Sequence, residues 1–576
     1  MKRRWSLTAA LLLVLLALAA AWPLCRHMSE AAAHGAVSDK QRAVAQALEA
    51  QDEFETLGVG DAVLPILDIE DAWAIEDARE EAAEPLVTAM FSGGDALGYD
   101  AASATFYCAL DTGGGQAWPA LGMTARGARG VQVAWIDDYS YDDPADAMAG
   151  GYRYELLAYT GTQYAYIGVV FTGLPVVTLH TQQEITRADT AARVTIAAAG
   201  YEGLQSAALA HVRGAGLSPQ YGKPQYRVEL QAVSAKGKAQ ANAQSVLGMD
   251  AETDWLLIGG AFEGGVIRNR LCWQIWQQWT GEPQLGALET RLVELFLNDA
   301  YAGVYLLMEY VNPKKELELA GGDLSTDVCV RRIGAGNLGD RPRWQPSEAI
   351  VHPVELRYAP KGMSDEAAFG VFEPLSEILF GDPYVYSDEE FEQLVLSCFD
   401  LRELVEYYVF WQSLDLKDNY INNLYVWAIR QEDGSYRYRL SPWDMDRSLC
   451  LEVVMDEVLR GAEPVPVQRE MQLAERLFDL DTQGIRAMLW DCWREKRAGV
   501  LSGEGLYALI LGLENELNET GAPLREAQMT RGEETLLDIS AMYDDVLLRL
   551  DMVEQFMQER WPLAGEADAQ DAEGQE

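Results

Sequence analysis

Asp418 and Asn423 stand five residues apart, and Asp444 and Asp446 follow between Pro442 and Arg447. One carboxylate of such a set can accept a proton from a hydroxyl, and two or three side-chain oxygens can ligate a hard cation. Phosphoryl transfer asks for these parts, because there the protein mostly positions groups and neutralises charge. An Asp-x-Asp pair alone also fits a solvated acidic turn, so the rest of the chain has to decide.

Cations that would answer such a site are fewer. Lys223 opens the strand-like run Pro224 to Leu230, where its ammonium would neutralise phosphate; an ordinary strand-end lysine fits the same pattern. A Walker A loop is excluded, since five residues separate Gly216 from Gly222 and Pro224 stands where a Ser or Thr would bind magnesium. Arg213-Gly214-Ala215-Gly216 is a basic, flexible turn that offers a guanidinium and backbone N–H groups to an anion. Arg268-Asn269-Arg270 opens a helix, where cations are unfavourable unless they meet an anion or solvent. Residues 334–339 match Gly-x-Gly-x-x-Gly, yet no helix follows, and a surface loop fits better than a phosphate cradle. The acidic stretch 137–143 lacks the spacing of a calcium loop and reads as a solvated turn. His27, His34, His180, His211 and His352 are scattered without metal spacing, and neither Gly-x-Ser-x-Gly nor Cys-x-x-Cys occurs.

The elements that must hold these groups are legible in outline. At 576 residues and 49% hydrophobic, the chain has material for two or more domains with a large core. A formal net charge of −45 argues against nucleic acid as a partner, since that needs clustered Lys and Arg. Residues 29–85 are Ala- and Glu-rich and read as a helical linker or stalk. Residues 86–173 alternate in short runs between Gly/Asp turns and read as a small β-rich module. Strand patterns then appear at 192–198, 207–213 and 225–231, a helix at 266–279, and a hairpin from Leu292–Leu297 to Gly303–Glu309 turning at Asn298-Asp299. Residues 388–417 look helical, strands follow at 423–429 and 436–440, and residues 465–560 are mostly helical. The acidic tail 564–576 reads as disordered. Strands before helices predict an α+β protein with a β-rich lobe followed by a helical lobe.

Four segments, 212–230, 254–271, 293–311 and 415–449, resemble the spore coat protein H (CotH) kinase family in its own order. The most specific are Leu-Asn-x-x-Tyr-x-Gly-x-Tyr-x-x-x-Glu over residues 297–309, and Asn422-Asn423 followed by Pro442-Trp443-Asp444-Met445-Asp446. The similarity runs from about Leu174 to Trp561; Ala215 and Arg447-Ser448-Leu449-Cys450 depart from the family pattern. The resemblance implies an atypical protein-kinase-like fold over residues 174–563 that binds ATP with Mg²⁺ or Mn²⁺ and phosphorylates Ser or Thr of coat or surface proteins. It implies Asp418 as the catalytic-loop carboxylate, Asn423 as a metal ligand, and Asp444 or Asp446 as the second metal ligand. Lys223 would contact the phosphates, with Arg213, Arg268 and Glu309 as further nucleotide-pocket residues.

Met1-Lys2-Arg3-Arg4 followed by the uncharged run from Trp5 to Leu24 reads as an export signal, either cleaved or kept as a membrane anchor. The protein is therefore expected outside the cytoplasm, secreted or anchored. Cys108, Cys272, Cys329, Cys398, Cys450 and Cys492 sit in mostly apolar surroundings and are expected as buried thiols, with one or two disulfides as the alternative in an exported chain. Two other readings compete with a phosphotransferase. One is a non-catalytic surface or adhesion scaffold that keeps the fold. The other is a polysaccharide-associated module in which Tyr425, Trp427 and Trp443 stack on sugars, provided they are exposed.

Overall fold

Strands whose residues alternate between two apolar environments build a closed barrel at the centre of the molecule. The computed structural model describes residues 64–112, 122–137, 143–214, 223–233, 239–260, 265–280, 285–332, 354–375, 386–416, 419, 423–450, 472–529 and 539–563. The expected export segment, Asp418, the glycine motif at 334–339 and the acidic tail lie outside them. Among the described residues no helix is long and apolar enough to cross a membrane.

Around the barrel, Leu204–Arg213 neighbours Thr190–Ala197, then Val176–Thr181, Thr290–Leu297, Ala300–Glu309, Asp254–Ile258 and Gln225–Val233, which pairs back onto Leu204–Arg213. Only the contact of Val176–Thr181 with Thr290–Leu297 is parallel. Successive side chains of a strand point to opposite faces, so each strand serves two cores. Val194, Ala208, Val228, Trp255, Leu257, Leu295, Tyr305 and Leu307 fill the barrel. Leu256, Ile258, Leu292, Val304, Leu306 and Met308 point outward into the core of the helical lobe. Asn298 turns the hairpin with φ of 54°, a left-handed conformation that Asn tolerates better than most residues.

The helical lobe packs helices Gly265–Gln277, Leu401–Ser413, Ile485–Ala498, Gly503–Thr520 and Ile539–Arg560 against a four-stranded sheet. That sheet runs in the order Val354–Tyr358, Val328–Arg332, Leu424–Arg430, Tyr436–Pro442. The single helical run expected at 388–417 is two helices. Ser387 and Glu390 form a capping box on Asp388–Cys398, and Asp400 caps Leu401–Ser413 by accepting from the Arg402 and Glu403 N–H groups. Phe399, extended between them, lets the chain turn. The six described cysteines are free and buried.

The described residues between 64 and 172 form the β-rich module, and it starts earlier than the composition suggests. Ile66–Leu67 pairs with Trp135 and Ile136, and Glu80–Glu81 pairs with Gln163 and Tyr164. Only Ile69–Asp77 of the described part of the expected linker is helical. Pairing to the sheet overrides the helix-favouring Ala/Glu composition there. The module meets the barrel through Tyr107, Val170, Val176 and Phe296. It meets the helical lobe at Gly521, where φ is 64° and an added Cβ would lie 2.0 Å from the Met148 carbonyl oxygen.

Beside the barrel, Asn312 caps the short helix Pro313–Leu319, which buries Glu316. Its Oε2 accepts from the Gly286 N–H at 2.7 Å. Burial pushes its carboxyl up to about 7; Gly286 and Lys315 oppose this, while Glu309 and Glu252 add to it. With the folded value above the ordinary 4.5, the native state holds the proton more tightly than the unfolded chain. This contribution is full below pH 4.5 and is lost as pH rises through about 7. Glu316→Gln keeps an acceptor for Gly286 and should stabilise the protein by about 1–2 kcal/mol at alkaline pH, with no gain in acid. Denaturant titrations on both sides of neutrality check this, and an equal gain in acid would refute it.

Candidate functional site

The register of two strands creates the site. Leu424 pairs with Pro442, so Asn423 and Trp443 emerge side by side from the sheet edge. The Trp443 N–H donates to the Asn423 carbonyl at 2.9 Å. Asn423 and Asp444 both adopt left-handed backbone, with φ of 47° and 54°. Asp and Asn bear this conformation at lower cost than bulkier residues, and such strain gathers where a site over-determines its geometry.

Asparagines lock the two loops together. Asn423 Nδ2 donates to the Asp444 carbonyl at 3.2 Å. Asn419 Nδ2 donates to the carbonyls of Asn423 at 3.0 Å and Trp443 at 2.7 Å. Tyr407 donates its hydroxyl to the Asn419 carbonyl at 2.7 Å. From the other side, helix Gly265–Gln277 braces the turn. Asn269 Oδ1 accepts from the Met445 N–H at 3.4 Å, and Arg268, buried, donates to the Ser448 and Leu449 carbonyls. Met445, fully buried, plugs the loop into the core.

This scaffold leaves Asp444 with a buried Oδ1 that has no hydrogen-bond partner among the described residues; Asn419 Oδ1 is in the same state. A buried carboxylate oxygen without a donor is costly unless a cation or a ligand meets it. Asp446 is also buried but has a partner of its own. Hard oxygen atoms on a rigid loop suit Mg²⁺ or Mn²⁺ better than a softer metal. Among the described residues no three His, Cys, Asp or Glu side chains converge.

Arg213 ends its strand with its guanidinium 5.4 Å from the centre of the Trp443 ring. Burial lowers its pKa, the nearby Asp444 carboxylate opposes that, and its Nη1 is buried with no partner among the described residues. Lys223 is engaged differently. Its Nζ donates to the Val304 carbonyl at 2.7 Å, pairs with Glu526, and lies 5.0 Å from the Tyr305 ring centre. Burial lowers its pKa and Glu526 raises it. Glu526, on helix Ala522–Met529, also accepts from the Val304 N–H at 2.7 Å. Glu309 accepts from the Glu289 N–H at 3.0 Å and lies 3.9 Å from Lys315; burial raises its carboxyl. These contacts lie at the end of the barrel strand, while its neighbour Tyr310 packs towards Trp443, ring centres 5.6 Å apart.

Tyr425, Trp427 and Trp443 are all buried, which removes the sugar-stacking platform. Three participants escaped the sequence reading: Glu526, which neutralises Lys223, and Arg331 and Arg357, whose guanidiniums reach the rings of Trp443 and Tyr310 respectively. The available signal was arginine within the short strands Val328–Arg332 and Val354–Tyr358.

A mixed α+β protein with a β-barrel lobe, a helical lobe and a strained acidic loop beside an arginine is the class defined by this architecture. The family described as CotH kinase protein matches residues 210–560, well over half of the chain, and the chain belongs to that family. No curated protein matches it.

Proposed function

We propose that this chain is an exported, kinase-like phosphotransferase that moves the terminal phosphoryl group of ATP to Ser or Thr hydroxyls of coat or cell-surface proteins. Family membership supports a kinase-like activity. The observation that carries the reading is Asp444, held on left-handed backbone beside Asn423 with a buried carboxylate oxygen that has no partner among the described residues. Asn423 and Asp444, with Asp446 behind them, would hold Mg²⁺ or Mn²⁺. When bound, the cation supplies charge neutralisation for phosphate oxygens. Arg213 adds a guanidinium next to that carboxylate. Lys223, now paired with Glu526, is assigned a contact with the phosphates from the barrel lobe, Glu309 is assigned to the nucleotide pocket, and Arg268 keeps the acidic loop in place. Asp418 is assigned the proton of the acceptor hydroxyl. The basic start and the apolar run to Leu24 support a location outside the cytoplasm, secreted or anchored through residues 5–24.

Purified protein with Mn²⁺ and γ-labelled ATP should label itself or a Ser-rich acceptor, and Asp418→Asn should lower the rate by about two orders of magnitude. α-Labelled ATP run in parallel separates phosphoryl from adenylyl transfer. Folded protein that transfers neither label would leave the scaffold reading in its place.

A further inference from the structure

Four arginines gather where the outer face of the barrel meets the four-stranded sheet, although the chain as a whole carries a formal charge of −45. Arg213 and Arg227 come from the barrel, and Arg331 and Arg357 from the sheet. Two aromatic rings hold them. Tyr310 has the Arg357 guanidinium 4.5 Å and the Arg227 guanidinium 5.1 Å from its ring centre. Trp443 has those of Arg213 at 5.4 Å and Arg331 at 5.6 Å. Arginine stacks on aromatic faces and still keeps its in-plane N–H donors for an anion.

The four are not equally occupied. Arg227 commits Nε and Nη2 to Asp254, at 2.8 and 2.6 Å. Arg331 and Arg357 share a single carboxylate, Glu355, at 2.6 and 3.1 Å, and Arg357 also donates to the Tyr310 hydroxyl at 2.6 Å. Among the described residues the Asp444 carboxylate is the compensating charge beside Arg213. Arg213 Nη1, Arg331 Nε and Arg357 Nε are buried donors without a partner among the described residues, and so is the Tyr425 hydroxyl. Strand pairing of Arg331 with both Glu355 and Tyr425 brings that hydroxyl alongside. Buried guanidinium donors left unpaired are expensive, and three in one place are explained by a ligand that accepts from them.

We propose that Arg213, Arg331 and Arg357 form a phosphate cage at the junction of the two lobes, built to accept the oxygens of a polyphosphate. Planar guanidiniums match phosphoryl oxygens in pairs, which a point-charge lysine does not. Because they cover the faces of Tyr310 and Trp443, these rings do not stack a base, and the cage reads the phosphates alone. Glu355 acts as a placeholder that keeps two of the three guanidiniums apart and oriented. The inference rests on the nucleotide reading above only for the molecule that delivers the phosphates; free polyphosphate has the same chemistry.

Calorimetry on the full chain at low ionic strength in EDTA, with tripolyphosphate, ATP and AMP, tests this without metal or turnover. Tripolyphosphate and ATP should bind with similar affinity and AMP far more weakly. Arg331→Gln and Arg213→Gln should each weaken tripolyphosphate about tenfold. Glu355→Gln should tighten it about threefold or more, a gain that misfolding does not produce. Asp444→Asn should not weaken it. ATP binding without tripolyphosphate binding would overturn the cage and leave the nucleotide reading standing. Tripolyphosphate binding that responds to these variants in a protein that never transfers phosphate would do the reverse. No change with Arg331→Gln and Glu355→Gln, in variants that melt like the wild type, would overturn the cage outright.

Discussion

Asp444→Asn should abolish the metal-dependent part of ATP binding while leaving the fold in place. The change is nearly isosteric, and Asn accepts the left-handed backbone that Asp444 adopts. The Asn423 hydrogen bond goes to the Asp444 backbone carbonyl, so it survives. What disappears is one negative charge and the strongest oxygen donor for a hard cation. Stability should move by no more than about 1 kcal/mol. Calorimetry with ATP in Mn²⁺ and in EDTA should show an affinity gain from Mn²⁺ of tenfold or more in the wild type. In the variant the two values should coincide. A Mn²⁺ gain that persists in Asp444→Asn would move the cation to other ligands and remove the observation on which the proposed function rests. Asp446→Asn is the informative companion. That side chain is buried and partnered, so its loss should appear first as a lower melting midpoint.

Glu526→Ala should destabilise the protein by about 3–5 kcal/mol, because it strands a buried ammonium. Lys223 would retain the Val304 carbonyl and the Tyr305 ring but lose the carboxylate it pairs with, and the Val304 N–H would lose that acceptor. The double variant Lys223→Met/Glu526→Leu should recover most of that loss, since an apolar pair of similar size needs no compensation. Denaturant unfolding of the two single variants and the double one closes the cycle. Simple additivity would show that Lys223 and Glu526 are not coupled, and the ion pair would then be of little consequence.

Local pattern and long-range pairing were unequally legible in the chain. The strands at 192–198, 207–213 and 225–231 appear within a few residues of Thr190–Ala197, Leu204–Arg213 and Gln225–Val233, because a two-residue period states which side of a sheet is buried. The hairpin around Asn298 is equally local, since its turn residues select the conformation. Closure of the barrel depends on Gln225–Val233 returning to Leu204–Arg213, and on Val176–Thr181 finding Thr290–Leu297 across more than a hundred residues. No window of sequence carries the second of these pairings. At the site, the spacing of Asn423 and Asp444 was visible because both residues flank paired strands. Arg331 and Arg357 were not, since an arginine in a strand is read as solvent-facing until the opposing lobe is in place. Glu526 was hidden for the same reason, with its acid group indistinguishable from its neighbours on an ordinary amphipathic helix.

The pairing of Lys223 with Glu526 joins residues 303 positions apart, and this imposes an order of events on a growing chain. All seven barrel strands are complete once Glu309 has been made. At about 5–20 residues per second, roughly ten to forty-five seconds then pass before Glu526 is synthesised. Throughout that interval the barrel strands hold a lysine whose Glu526 partner does not yet exist. The native barrel lobe is thus an outcome of the finished polypeptide. Premature termination before helix Ala522–Met529 would leave an intermediate with the right strands and an uncompensated ammonium, a natural substrate for quality-control proteases.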